Sequence, residues 1–154
     1  IAMNNPKDAF LFFDKALTLA TSLQFNPMNL CDFMNNRGNA LKRLGRYPEA
    51  LNEYENALAL SIQTNYRNAT ATVSANLGEI NLLTGNYPEA LKYQLQTVNF
   101  QEEDNDLSNL TENYGHISTI YEKLGNYPLA LEYQKKARIM RDSTAKKRNL
   151  HNNG

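Results

Sequence analysis

Asn36, Asn76 and His116 recur at intervals of 40 residues, so a fold repeating at that interval brings them into register as a polar ladder. The chemistry open to such a ladder is recognition. A carboxamide donates and accepts at once, which is what a peptide backbone lying along it requires. The same side chains also serve to bridge neighbouring helices, and the spacing alone leaves both uses open. Covalent chemistry has less support: neither histidine has a nucleophile or carboxylate at a recognisable motif spacing, and there is no glycine-rich phosphate loop. No enzymatic activity and no cofactor are therefore expected. Glu102, Glu103, Asp104 and Asp106 form an acidic run without the spacing of a calcium loop, and read as solvated charge between helices. The single cysteine, Cys31, excludes an intrachain disulfide framework and a thiolate zinc site, and reads as a packed thiol near a helix start.

Sixteen basic and sixteen acidic residues balance to a formal charge of zero, which argues against a general attraction to nucleic acid or anionic lipid. The most apolar stretch, residues 9–23, is interrupted by Asp14, Lys15, Thr18, Thr21 and Ser22, and falls short of the roughly 18 apolar residues a spanning helix needs. No membrane contact and no nucleic-acid partner are expected of this segment. The abrupt start at Ile1-Ala2-Met3, without a visible leader, reads as an excision from a longer protein. A cytoplasmic setting is favoured, with the periplasm as the alternative if the parent is a bacterial sensor.

The elements that must position the ladder are announced by a string, Gly-x-Tyr-Pro-x-Ala-Leu, beginning at Gly45, Gly85 and Gly125. Runs with helical spacing flank each copy, so each unit is a helical hairpin. The spacing predicts helix A over 31–44, 69–83 and 107–124, and helix B over 47–62, 87–100 and 127–145. The glycine ends helix A in a left-handed conformation, and proline three residues on sits in the first turn of helix B, where its missing N–H is no loss. Asn86 and Glu89 form a capping-box pair in the second copy, which the third lacks because Leu129 stands there. Ala50, Ala90 and Ala130 allow close helix approach, and Tyr47, Tyr87 and Tyr127 read as packing wedges.

These residues resemble the tetratricopeptide repeat. The first copy carries the resemblance best: Asn36-Arg37-Gly38-Asn39-Ala40, Leu44-Gly45-Arg46-Tyr47-Pro48-Glu49-Ala50, Tyr54 and Ala57. The second keeps Gly78, Gly85, Tyr87 and Ala90, with Gln94 and Val98 for the usual aromatic and alanine; the third has Ser118 and Gln134 at the glycine and aromatic places. A 40-residue period exceeds the ordinary repeat of about 34. The surplus is expected in helix B and its connection, residues 59–66. This long variety resembles the repeats of kinesin light chains, spindle-orientation adaptors and bacterial signalling proteins.

The resemblance implies an all-α, right-handed superhelix of about three and a half hairpins. Its divisions are helix B of a truncated unit at 5–23, repeats at 31–66, 69–103 and 107–147, and a disordered tail at 148–154. It implies a non-enzymatic module that binds a peptide or protein segment along a concave groove lined by helix A, within a larger scaffold or signalling protein. A sensory segment of a bacterial kinase or transcription regulator is the alternative. The groove residues so implied are Asn35, Asn36, Asn39, Lys42 and Arg43, then Asn76, Glu79 and Leu83, then His116, Thr119 and Lys123, with Leu82 and Leu83 as seats for apolar anchors. A clamp for acidic chaperone tails is not matched, because Asn35, Glu112 and His116 stand where it uses basic residues. Two lesser readings are nucleic-acid binding through Lys135, Lys136, Arg138, Arg141 and Lys146-Lys147-Arg148, and self-association into a homo-oligomer through Phe10, Phe12 and Phe13 at the open first end.

Overall fold

The computed structural model describes residues 5–23, 26–107 and 109–152. Among these, every regular element is a helix: α1 (Pro6–Ser22), α2 (Pro27–Arg43), α3 (Tyr47–Gln63), α4 (Arg67–Leu83), α5 (Tyr87–Glu103), α6 (Leu110–Lys123) and α7 (Tyr127–Asn152). The pairs α2–α3, α4–α5 and α6–α7 are the expected hairpins, and α1 packs on α2 as α3 packs on α4. Each hairpin packs on the next through α1–α2, α3–α4 and α5–α6, giving an all-α superhelix of three and a half hairpins.

The 40-residue period divides in two. The helices α2, α3, α4 and α5 are 17 residues each, joined by three-residue turns. The surplus over an ordinary repeat thus lies in the helices, where the sequence had pointed to helix B and its connection alone. The five turns from α2 onward end the preceding helix in the same manner, with an N–H reaching back five residues: Arg46 to the Leu41 carbonyl at 3.0 Å, and Tyr66 to Ser61, Asn86 to Asn81, Asp106 to Gln101 and Asn126 to Tyr121 at 2.8 Å. The left-handed residue this closure requires is Gly45, Gly85 or Gly125 within a hairpin, with φ of 73°, 77° and 75°. Between hairpins it is Asn65 or Asn105, at 53° and 52°, the non-glycine residue that tolerates this region best.

Several helix ends depart from the sequence reading. The first helix A begins at Pro27 rather than 31, because the Asn26 carboxamide caps it by accepting from Met28 N at 2.9 Å. Helix α6 starts late, at Leu110, and α7 continues to Asn152, through most of the stretch expected to be disordered from 148; residues 153 and 154 lie outside the described residues. The capping assignment reverses. Asn86 makes no cap bond and donates instead to Asn81 Oδ1 at 3.1 Å, whereas Asn126 Oδ1 accepts from Leu129 N at 3.3 Å. That half of a capping box needs only a backbone N–H, so the leucine is no obstacle.

The apolar interior has two centres. One gathers Cys31, Leu41, Tyr54, Val73, Leu77 and Ile80 from the first two hairpins, and the other Val98, Leu110, Tyr114, Ile117 and Ala137 from α5, α6 and α7. Tyr47 packs against the first centre, but Tyr127 is 70% exposed and is no wedge. Beside these centres, α5 and α6 carry a polar seam of buried side chains, Gln94, Thr97 and Asn113. That polar seam is where the candidate site lies.

Candidate functional site

The three members of the ladder meet different surroundings. Asn76 on α4 donates through Nδ2 to Asn35 Oδ1 on α2 at 2.8 Å, tying consecutive hairpins together. Lys42 and Glu79 make a second rung between the same helices at 2.5 Å. Asn39 accepts from the Tyr54 hydroxyl at 2.6 Å within its own hairpin. His116 meets Gln94 Nε2 through Nδ1 at 3.3 Å, while its Nε2 lies 3.9 Å from Glu112. Asn36 makes no side-chain hydrogen bond to a described residue and is half-buried. Arg43, Leu83 and Lys123 lie exposed at helix ends, and exposed Thr119 donates to the Gly115 carbonyl of its own helix at 3.1 Å.

One groove of about 310 Å³, between α4, α5 and α6, collects Asn76, Glu79 and His116. Asn35, Asn36, Asn39, Lys42, Arg43, Leu83, Thr119 and Lys123 do not line it. Helix B contributes residues that the helix A reading passed over: Gln94, Thr97 and Gln101 from α5 face Asn113 and His116 of α6 across this space, with Asn113 Nδ2 donating to Gln101 Oε1 at 2.8 Å. The signal for them was present in the 40-residue register, where Tyr54, Ala57 and Ser61 become Gln94, Thr97 and Gln101. Thr97, not Val98, therefore takes the place of the helix B alanine.

Backbone room explains how Gln94 sits there. A Cβ on Gly78 would lie 2.8 Å from Gln94 Nε2, as one on Gly38 would lie 2.6 Å from the Tyr54 ring. The glycine admits an aromatic in the first hairpin and a carboxamide in the second. Gln94 is 1% exposed, and its Oε1 has no hydrogen-bond partner among the described residues. In the third hairpin Ser118 donates to the Ala130 carbonyl at 2.8 Å, and Gln134 is exposed. The groove's charged lining is acidic, from Glu79, whose charge Lys42 offsets, and from Asp106 and Glu112, and among the described residues no lysine or arginine lines it. Such a surface suits a ligand rich in N–H donors.

The ionisable groups elsewhere brace the scaffold. Arg37 joins three helices through Asp14 at 3.1 Å and Glu53 at 2.9 Å. Burial nonetheless holds the Glu53 carboxyl above its usual range, because removal from water outweighs the guanidinium. Burial, aided by Asp32, also pushes the Cys31 thiol up to about 11. Its Sγ donates to the Ala57 carbonyl at 3.3 Å, so the thiol is packed and unreactive, although it lies in the second turn of its helix. The acidic run is more than solvated charge: Arg67 holds Glu103 at 2.8 Å and Asp104 at 3.0 Å, and Glu102 accepts from the Tyr114 hydroxyl at 2.6 Å.

At the first end Phe10 is not part of an open patch. It packs against the first core centre, beneath Arg46 at 5.0 Å and Arg37 at 5.7 Å. Phe12 is about half exposed, and Leu11, Leu19 and Leu23 of the same segment are also exposed. Among the described residues no helix is long and apolar enough to cross a membrane, and no cluster of His, Cys, Asp and Glu could hold a metal ion.

Two tetratricopeptide-repeat models match the chain, over residues 30–103 and 111–137. No curated protein sequence matches it. Among solved structures, the apo form of RapI superposes with a TM-score of 0.85 at 20% identity, over 94% of this chain and 53% of that one. BtubC (BKLC) from P. vanneervenii gives 0.84 at 17%, over 91% and 58%, and MamA gives 0.74 at 22%, over 94% and 73%. The chain thus spans little more than half the length of RapI and BtubC. Tetratricopeptide repeats are in general protein-interaction folds. The repeated glycine turns, the paired helices and these matches together place the chain in the tetratricopeptide-repeat family.

Proposed function

We propose that the chain is a non-enzymatic interaction module whose α4–α5–α6 groove binds an extended, donor-rich polypeptide segment. The observation that carries this is the meeting, in one 310 Å³ groove, of Asn76, Gln94, Asn113 and His116 from successive hairpins under an acidic rim. Carboxamides pair with a backbone in either direction, and the rim adds a preference for lysine or arginine over aspartate or glutamate. The groove is too polar to offer Leu82 and Leu83 as seats for apolar anchors; neither lines it.

Fluorescence anisotropy with labelled decapeptides, one alternating Lys and Ser and one alternating Glu and Ser, tests the reading. The lysine peptide should bind, and exposed Glu112→Lys should weaken it about tenfold with an unchanged melting temperature. Equal binding of both peptides, or indifference to the variant, would overturn it. Within this reading the segment serves a larger scaffold or signalling protein. An output domain in the same reading frame supports a regulatory role, and further repeats alone support scaffolding.

A further inference from the structure

The last hairpin carries a second groove, about 590 Å³, between α6 and α7. Its meaning follows from the 40-residue register. In the preceding hairpin, α5 seats α6 with Leu91, Leu95 and Val98 packed against Leu110, Tyr114 and Ile117, flanked by the Gln94–His116 and Gln101–Asn113 contacts. Moved on by 40 residues, those positions are Leu131, Lys135, Arg138, Gln134 and Arg141, and all five line the open groove on α7. The geometry of a helix seat is therefore kept while its chemistry changes. Where α5 offers Leu95, Val98 and Gln101, α7 offers Lys135, Arg138 and Arg141, three cations at intervals of three and so on one helix face.

None of these three makes an ion pair with a described residue, and Glu122 is the one acid lining the groove. A helix presenting leucine and isoleucine, as α6 does, would strip water from these cations without replacing it. We propose that the α6–α7 groove takes an acidic amphipathic helix of a partner protein, lying on α7 as α6 lies on α5, with carboxylates where α6 carries Asn113 and Ile117. Charge complementarity selects this occupant. The groove is distinct from the α4–α5–α6 site and is read independently of it.

The test uses the full chain and three stapled 14-residue peptides with the α6 sequence, since an unstapled helix of that length is marginal in water. One is the parent; the others carry Asn113→Glu with Ile117→Glu, or Asn113→Lys with Ile117→Lys. The Glu peptide should bind about tenfold more tightly than the Lys peptide, with the difference lost in high salt. Arg138→Glu with Arg141→Glu, both exposed, should reverse that order at unchanged helicity by circular dichroism, while Glu112→Lys should leave it alone. Equal binding of the Glu and Lys peptides, or an order indifferent to the double variant, overturns the proposal. Concentration-dependent association abolished by the double variant would overturn it in favour of a second copy as occupant, and salt-dependent RNA binding abolished by it would do so in favour of nucleic acid.

Discussion

The first and second hairpins share a turn and differ inside. Gly38 makes room for the Tyr54 ring, which is fully buried and closes the first core centre; Gly78 makes the same room for the Gln94 carboxamide, which opens a polar seam. In the third hairpin the pair becomes Ser118 and an exposed Gln134, and the seam becomes an open groove. The same glycine device thus supports two different interiors and a serine replaces it in the third, so that moving along the array a closed core gives way to an open groove. Stability should accordingly concentrate at the first hairpin, with binding surface toward the last.

The strongest way to break this comparison is to truncate the residue each glycine accommodates. Tyr54→Ala removes a fully buried ring and its bond to Asn39, and should destabilise by about 3–5 kcal/mol in denaturant unfolding. Gln134→Ala, at the equivalent exposed place, should change stability by less than about 0.5 kcal/mol. Similar losses at both would mean that the interiors do not differ. Adding a methyl to the glycines asks the converse. Gly38→Ala drives a Cβ into a rigid ring and should cost about 1–3 kcal/mol, and Gly78→Ala less, because Gln94, which the new Cβ meets at Cγ and Cδ as well as Nε2, is an unbranched side chain that can turn as a whole where a ring cannot. A larger loss at Gly78 would show the second seam to be as tightly packed as the first core.

The turns should show no such gradient. Gly45, Gly85 and Gly125 share φ near 75° with open space around the missing Cβ, so alanine at each should cost the same, about 1 kcal/mol of left-handed strain. Unequal losses would mean that the three turns bear different loads. The smallest effect concerns pH. Because burial raises the folded-state pKa of Glu53 above its ordinary 4.5, its contribution to stability is present below that value and lost as pH rises through the raised one. Melting curves of Glu53→Gln should lack that decline while wild type shows it; a decline of equal size in both would assign it to another group.

The fold was legible because its signals are local. Gly-x-Tyr-Pro ends one helix and starts the next within seven residues, and three copies fixed the hairpins and their register. Two local signals were passed over: the Asn26-Pro27 start of α2, and Asn65 and Asn105 in the turns between hairpins. The candidate site was legible in part. Asn76, Glu79 and His116 do meet in one groove, but Gln94 reads in the sequence as a lapse from the repeat pattern and Thr97 and Gln101 carry no signal of their own there, whereas in the structure all three stand opposite Asn113 and His116.

What the sequence alone determined is the periodic scaffold: helical hairpins, their turns, and the equivalence of positions 40 apart. The tertiary structure decided which equivalent positions are alike in chemistry. Asn35, Asn36, Asn39 and Asn76 are interchangeable as carboxamides, and only contacts between residues 15 to 41 apart settle that Asn39 meets Tyr54, that Asn35 meets Asn76, and that Asn36 meets neither. A hydrogen bond of this kind depends on where another helix lies, to within a few tenths of an ångström, and a residue's type does not carry that information.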